Sequence, residues 1–141
     1  MRPRFTAGFR SGLEEALAAE LKAAGVPFDF EPFRIPYLPT KVKHYTPDFV
    51  LTNGIIVETK GYFVSADRSK HLLIKQQHPD LDIRFVFARP SNRLGKKSQT
   101  TYALWAESKG FKWAEKRIPT SWIKEPLNLK SHRAIRHLLE G

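Results

Sequence analysis

The chain has 141 residues and contains no cysteine, which excludes a disulfide framework and a thiolate metal site. Its 24 lysines and arginines against 14 aspartates and glutamates give a net charge of +10, an excess typical of proteins that bind polyanions. No apolar run reaches the roughly 18 residues needed to cross a bilayer. Residues 1–10 lack the apolar segment of a secretory signal, so we expect one cytoplasmic domain.

The first forty residues predict one helix and then extended segments. Ser11 can cap a helix that ends at Ala24, before Gly25. A stripe of leucines spaced four apart would bury against a sheet, and it comprises Leu13, Leu17 and Leu21. Apolar alternation at 28–30 and again at 33–37 predicts strand-like segments, but nearby prolines restrict the second one to a sheet edge or a connector.

Two apolar arms, residues 45–51 and 55–59, flank an Asn-Gly turn. A second helix follows to about residue 78, with Ser65 or Asp67 as its cap and Pro79 as its stop. The remaining elements are a buried strand, a basic loop, a helix, a short strand and a tail with a weakly helical end, over residues 83–88, 89–99, 100–109, 111–114 and 118–141. This order predicts an α/β fold with a central mixed β-sheet flanked by helices.

Histidines and tryptophans indicate structure rather than chemistry in this pattern. His71 and His78 lie too far apart on their helix for a shared metal ion at the usual i, i+4 spacing. We expect them on the helix surface or at its amphipathic border. The tryptophans are expected in the core, and they are Trp105, Trp113 and Trp122.

The register of the hairpin decides whether its acidic side chains can meet. A two-residue Asn-Gly turn would place Asp48 and Glu58 on opposite faces of the sheet. A three-residue loop, 52–54, with a left-handed Gly54 would place the two carboxylates opposite each other. The apolar alternation favours the longer loop, because it gathers on one face Phe49, Leu51, Ile55 and Val57.

In that register Asp48, Glu58 and Lys60 share the open end of one face. Two carboxylates that meet are costly unless a cation lies between them, and hard cations such as Mg²⁺ prefer oxygen ligands. A bound ion would polarise a phosphodiester and lower the pKa of a coordinated water, while Lys60 could hold that water or stabilise the pentacovalent oxyanion. The plainer alternative makes Asp48 a turn-starting residue and the other two a solvated strand face.

Glu14 is the candidate for a third carboxylate. It borders the leucine stripe and could lean toward the sheet. However, residues 11–14 also match a capping box, in which Glu14 only bonds back to the main chain of Ser11. Spacing alone favours the capping role.

Basic residues surround the predicted site in sequence. Some follow it on the second helix, and others populate the loop 89–99, which can contact a phosphate backbone or simply be solvated. The candidate DNA contacts are Arg10, His44, Arg68, Lys70, Arg89, Arg93, Lys96 and Lys97. No recognition helix or zinc finger predicts base-specific binding.

Residues 47–48 and 58–60 match the PD-(D/E)xK nuclease motif. Beyond this motif the chain resembles the phage endonuclease I family over nearly its whole length. The segments that carry the resemblance are residues 9–14, 45–49, 57–61, 67–74, 77–79, 81–84 and 118–126. The resemblance implies a restriction-endonuclease-like fold and a resolvase that cuts four-way (Holliday) and other branched DNA junctions by paired nicks, using Mg²⁺ or Mn²⁺.

The family's catalytic acids would correspond to Glu14, Asp48 and Glu58, and its lysine to Lys60. The main-chain oxygen of Thr59 would join the acids as a metal ligand. On the resemblance, Glu14 is therefore catalytic and not only a cap.

The resemblance also implies an intertwined homodimer that exchanges a strand segment, with residues 37–44 as the bridge and Glu14 acting on the partner's site. The bridge looks shorter than expected of the family, and the tail 118–141 ends in a possible helix rather than a run of lysines. If phage-encoded, the protein would act in the host cytoplasm. The alternatives are a mismatch or nicking endonuclease on the same fold, or a non-catalytic DNA-binding module.

Overall fold

A mixed five-stranded sheet organises residues 9–141, the part of the chain that the computed structural model describes. Residues 1–8, which belong to the segment without a predicted secretory signal, lie outside this range. In chain order the elements are α1 Gly12–Ala23, β1 Phe28–Phe30, β2 Ile35–Tyr37, β3 Lys43–Tyr45, β4 Phe49–Leu51, β5 Ile55–Lys60, α2 Ser65–Gln77, β6 Asp82–Phe87, α3 Tyr102–Ser108, β7 Trp113–Glu115, α4 Thr120–Ile123 and α5 Leu129–Glu140. None of these helices is long and apolar enough to span a bilayer.

The central sheet has the strand order β1-β4-β5-β6-β7. β1, β4 and β5 pair antiparallel, whereas β5, β6 and β7 pair parallel, with α2 and α3 as the crossovers. Leu17 and Leu21 of α1 join the core around Phe49. Ile74 of α2 and Trp105 of α3 join a second core. The predicted α/β fold with a central mixed sheet flanked by helices is therefore confirmed.

The first predicted arm, residues 45–51, is divided between two strands. Tyr45 ends β3, Pro47 has no N–H to donate, and β4 begins two residues later. β3 pairs antiparallel with β2 in a separate sheet, with Ile35 opposite Tyr45. Five strands therefore precede α2, because the first arm divides into β3 and β4. Residues 43–44, expected in a connector, belong to a hairpin that closes within one chain.

The start of α2 corrects the predicted cap. Val64 occupies the N-cap position and makes no side-chain capping bond, so neither Ser65 nor Asp67 is the cap. The carboxylate of Asp67 lies in the first helical turn, where it is 3.5 Å from Lys60 Nζ and 3.8 Å from Lys70 Nζ. The Asp67 carboxylate, which the sequence predicts as a helix cap, therefore pairs with Lys60 and Lys70 instead.

His71 is fully buried, so the expected surface position is wrong. Its ring lies edge-on to Tyr45 and Phe85, with centroid distances of 4.9 Å to each. Neither ring nitrogen has a hydrogen-bond partner among residues 9–141. Burial, and then the charges of Lys60 and Lys70, hold the pKa of His71 well below its ordinary value. The core placement of tryptophans is confirmed for Trp105 and Trp122, which are buried, and in part for Trp113, which is half-buried.

The C-terminal tail, residues 118–141, contains the helices α4 and α5 and is hydrogen-bonded to the hairpin turn. Asn128 caps α5 by accepting a hydrogen bond from the Ser131 amide at 3.2 Å. The buried Ser131 hydroxyl donates to the Gly54 carbonyl at 2.6 Å and accepts from the Asp82 amide at 3.1 Å. The side-chain amide of Asn53 donates to the carbonyl of Trp122 at 2.8 Å. These bonds fix the position of the turn between β4 and β5.

Candidate active site

The β4–β5 hairpin has the register that the apolar alternation predicts. Phe49 pairs with Val57 and Val50 with Ile56, so the loop has three residues and Asp48 comes opposite Glu58. The amide of Gly54 closes the loop on the Leu51 carbonyl at 3.0 Å, and its φ of +90° is the left-handed conformation expected for that glycine. Residues with apolar side chains on the other face enter the core with α1, namely Phe49, Leu51, Ile55 and Val57.

Asp48 is buried and fixed by Thr59. Its Oδ2 accepts hydrogen bonds from the Thr59 amide at 2.9 Å and from the Thr59 hydroxyl at 2.8 Å. Pro47 ends the pairing of the preceding segment, so the Asp48 side chain can turn back onto β5. The second carboxylate oxygen, Oδ1, is left for other partners at the sheet end.

Glu58 is buried on the same sheet end and bonded to a tyrosine. Its Oε1 accepts a hydrogen bond from the Tyr45 hydroxyl at 2.6 Å. Burial, and then the nearby Asp48 carboxylate, raise the pKa of Glu58 to about 8, although Lys60 and the Tyr45 bond act in the opposite direction. If both carboxylates were ionised, they would therefore carry more negative charge than their protein surroundings neutralise.

Lys60 completes this cluster from the end of β5. Its Nζ is 3.4 Å from Glu58 Oε2 and 3.5 Å from Asp67 Oδ2. Burial acts to lower the pKa of Lys60, but the carboxylates of Glu58, Asp67 and Asp48 together raise it above the ordinary value. The amine is therefore a fixed positive charge beside the two acids, in a position to act on an anionic ligand.

Glu14 also reaches this site, and it does so within one chain. Ser11 caps α1 by accepting from the Glu14 amide at 3.1 Å, but the Glu14 carboxylate accepts from the Arg10 amide at 2.9 Å rather than from Ser11. The capping role alone is therefore a wrong description of this buried side chain. Burial, and then the nearby Asp48 carboxylate, raise the pKa of Glu14. In the single chain that the structure describes, Glu14 and Asp48 therefore belong to the same site.

The donor set suits a hard cation in its chemistry. The carboxylates of Asp48 and Glu58 supply oxygen donors that Mg²⁺ and Mn²⁺ prefer, and the excess negative charge on the pair fits a divalent ion. Across residues 9–141, however, no three Asp, Glu, His or Cys side chains are arranged as a metal-binding group. A bound ion would therefore need a further ligand from the main chain, from water or from a movement of Glu14.

The predicted DNA contacts fall into three groups. Arg10 and Lys70 border the acids: Arg10 Nη2 is 3.9 Å from Asp48 Oδ1, and Lys70 lies over the Tyr45 ring. Arg68 instead turns back to the Phe63 carbonyl at 2.6 Å. The remaining candidates are exposed, with one in strand β3 and four in the loop after β6, and they are His44, Arg89, Arg93, Lys96 and Lys97.

The loop after β6 begins beside Lys60, because the Ala88 amide donates to the Lys60 carbonyl at 3.0 Å. A cavity of about 350 Å³ opens there, and its lining residues are Gly61, Tyr62, Ala88, Arg89 and Asn92. Tyr62 is 81% exposed. Basic and aromatic side chains thus continue from the acids along one edge of the molecule.

Three contributing residues do not stand out in the sequence. Tyr45 and Asp67 contact Glu58 and Lys60. Glu31 is buried beside Arg10. The hairpin motif includes Tyr45 but gives no sign that its hydroxyl bonds to Glu58. Glu31 follows a three-residue strand and precedes a proline, a position typical of an exposed turn.

Comparison with known proteins agrees with these features. The model of the family described as Phage endonuclease I matches residues 2–140. Endonuclease I of Escherichia phage T7 is 50% identical over 124 residues, which cover 87% of this chain and 83% of that protein. Endodeoxyribonuclease 1 of Enterobacteria phage T3 is 51% identical over 119 residues, covering 84% and 78% respectively. The chain is thus a DNA-hydrolysing nuclease, and it belongs to the phage endonuclease I family.

Proposed function

We propose that this nuclease is a metal-dependent, structure-selective endonuclease that resolves four-way and other branched DNA junctions by paired nicks. The observation that carries the proposal is the convergence of Asp48, Glu58 and Lys60 on one end of the sheet, with Glu14 beside Asp48. The net charge of +10 favours a polyanionic substrate.

Asp48, Glu58 and the main-chain oxygen of Thr59 would hold a Mg²⁺ or Mn²⁺ ion, with Glu14 as a further acidic ligand. When bound, such an ion supplies Lewis-acid polarisation of the phosphodiester and a water of lowered pKa. Glu58 must be ionised to serve, and the Tyr45 hydroxyl favours that form by donating to Oε1. Tyr45 is therefore part of the proposed machinery.

Lys60 would orient the attacking water or neutralise charge on the pentacovalent phosphorus centre, since its amine stays protonated between three carboxylates. Asp48 is prevented from turning away by its two bonds to Thr59. In-line attack by water would leave a 5′-phosphate and a 3′-hydroxyl.

Paired nicks require two active sites, so we propose a homodimer of restriction-endonuclease-like subunits, possible with or without strand exchange. The loop of the β2–β3 hairpin supports this proposal, because Leu38 and Val42 are 52% and 64% exposed there. Apolar side chains at a hairpin tip are available to a second copy. Two sites at fixed separation would select branched DNA by its shape.

Incubation of the purified protein with Mg²⁺ and either a four-way junction or a linear duplex tests the proposal. We expect selective cleavage of the junction, with loss of most turnover but retention of binding in Lys60→Ala. Lys22→Ala, at the exposed end of α1, is the matched control and should cut normally. Equal cleavage of both DNAs would favour a less selective nuclease of the same fold, and binding without cutting would favour the DNA-binding module.

Mixing two inactive variants tests the exchange. If subunits exchange the segment that carries Glu14, Glu14→Ala mixed with Asp48→Ala regains one functional site per dimer. If each site forms within one chain, as in the arrangement described above, the mixture stays inactive. Nicking of one strand by the mixture is therefore diagnostic of composite sites.

A further inference from the structure

Glu31 is an unusual residue for its position. Its side chain is 1% exposed, and its φ of +50° is one of two positive values among the non-glycine residues of 9–141. A buried carboxylate and a left-handed non-glycine backbone each destabilise a fold. Such a combination persists when surrounding structure requires it, and at functional sites it often belongs to the mechanism.

The side chain of Glu31 is bonded to Arg10. Arg10 Nη2 donates to Glu31 Oε2 at 2.7 Å, while the same nitrogen is 3.9 Å from Asp48 Oδ1. The main chains are linked as well, because the Glu31 amide donates to the Asp48 carbonyl at 2.8 Å and the Arg10 amide donates to Glu14 Oε1 at 2.9 Å. The Arg10–Glu31 pair therefore contacts two of the three acids of the proposed site, Asp48 and Glu14.

The two partners differ sharply in exposure. The Arg10 side chain is 67% exposed, whereas Glu31 is enclosed. A guanidinium has five donors in a planar fork, and the bond to Glu31 uses one of them. A simple counterion for the acids would bury its charge between them, but Arg10 keeps most of its surface open at the edge of the site. This is the geometry of a cation that is held in place for an anion from outside.

We propose that Glu31 is a positioning residue, which holds Arg10 to bind a non-bridging oxygen of a DNA phosphodiester at, or next to, the one that is cleaved. This inference rests on the proposed function and adds to it a phosphate subsite with its supporting carboxylate. Arg10 keeps its bond to Glu31 and offers its other donors to the phosphate.

A purely electrostatic role and a positioning role of Glu31 predict opposite effects of Glu31→Gln on DNA affinity, so this variant distinguishes them. Removal of a negative charge near bound DNA strengthens binding if only long-range electrostatics matters. If Glu31 is a positioning residue, loss of the strong acceptor that fixes Arg10 weakens DNA binding. The test measures the Kd of a four-way junction at several salt concentrations in a Lys60→Ala background without divalent metal, so cleavage does not interfere.

We expect Arg10→Ala to weaken junction binding by about tenfold and to reduce the salt slope by about one. Glu31→Gln should weaken binding by roughly threefold or more and should add no loss when Arg10 is already alanine. The control is the Arg136–Glu140 pair, 3.8 Å apart, whose arginine is about as exposed as Arg10 but whose glutamate is also exposed. Glu140→Gln should leave binding unchanged or slightly stronger.

Unchanged or tighter binding by Glu31→Gln overturns the proposal, as does a loss that persists undiminished in the Arg10→Ala background. If Glu31→Gln does not fold, Arg10→Lys decides, since it changes an exposed side chain and keeps the charge. A loss of threefold or more supports a role for the fork, and unchanged binding refutes it. Failure of the wild type to cleave any junction would sink the proposed function instead, and it is measured separately in Mg²⁺.

Discussion

The hydroxyl of Tyr45 donates to Glu58 Oε1 at 2.6 Å. Tyr45 ends β3, just before Pro47 interrupts the strand pairing. This bond lowers the pKa of Glu58, against the larger effects of burial and of the Asp48 charge. It therefore favours the ionised carboxylate that the proposed metal site requires.

Tyr45→Phe should move the acidic limb of the pH–rate profile to higher pH, because Glu58 then loses a donor that stabilises its charge. The shift is measured from kcat/KM on a four-way junction between pH 6 and pH 9. Tyr37→Phe, on the neighbouring strand β2, should leave the profile in place. An unmoved limb in Tyr45→Phe would show that the bond has no part in setting the ionisation of Glu58.

The raised pKa of Glu58 makes the metal-free protein less stable as pH increases. The ordinary value is 4.5 and the folded value is about 8, so between them the folded state holds a proton that the unfolded state has lost. Relative to Glu58→Gln, the free energy of unfolding should fall by roughly 1 kcal/mol per pH unit in this window. Urea titrations from pH 5 to pH 8 measure the difference.

Mg²⁺ should reduce this loss, and more at pH 8 than at pH 6, since its binding requires release of the same proton. Glu58→Gln should show little of this stabilisation. Equal effects of Mg²⁺ on both proteins would contradict a site that includes Glu58.

His71 should make the protein less stable as pH falls, whereas Glu58 makes it less stable as pH rises. Its folded pKa is held well below the ordinary value of about 6.5, so the unfolded state binds a proton that the native state excludes, and stability falls as pH drops below 6.5. His71→Leu should remove this slope and raise the free energy of unfolding by about 1 kcal/mol, because the imidazole has no hydrogen-bond partner among the described residues. Denaturant titrations at pH 5 and pH 7 decide, with the exposed His44→Leu as the control. A slope retained in His71→Leu would assign it to other groups.

Gly54→Ala should destabilise the protein by about 1–3 kcal/mol. The new Cβ would lie 3.1 Å from the Asn128 carbonyl oxygen and 3.2 Å from the His132 nitrogen, at a φ of +90°. Gly95→Ala, where no atom lies within 4 Å of the added carbon, should change stability little. Thermal melts of both variants provide the comparison, and equal melting temperatures would mean that the turn tolerates rearrangement.

The hairpin register and the face of the three hairpin side chains could be predicted from sequence because strand alternation is a local, two-residue period. A shift of one residue between the strands would place Asp48 and Glu58 on opposite faces and would separate Phe49 from Val57 as well. The role of Glu14 could not be decided from spacing, since the capping pattern and a sheet-facing position use the same residues. In the structure, the position of the Glu14 carboxylate is determined by its contacts with Arg10 and Asp48.

The burial of His71 and Glu31 lay beyond sequence patterns for a different reason. His71 packs against aromatic rings from three distant parts of the chain, Tyr45, Phe85 and Phe111, and the periodicity of its own helix does not reveal them. The bond between Glu31 and Arg10 crosses 21 positions of the chain. Such polar pairs depend on how distant segments pack.

Hydrogen bonds join α4 to Asn53 and α5 to Gly54, so the C-terminal helices also support the hairpin turn. Residues 118–141 are the brace of the nuclease hairpin, and they are not a separable appendage. Loss of α4 and of the start of α5 would expose the turn that keeps two acids opposite each other, so these helices and the geometry of the proposed site depend on each other.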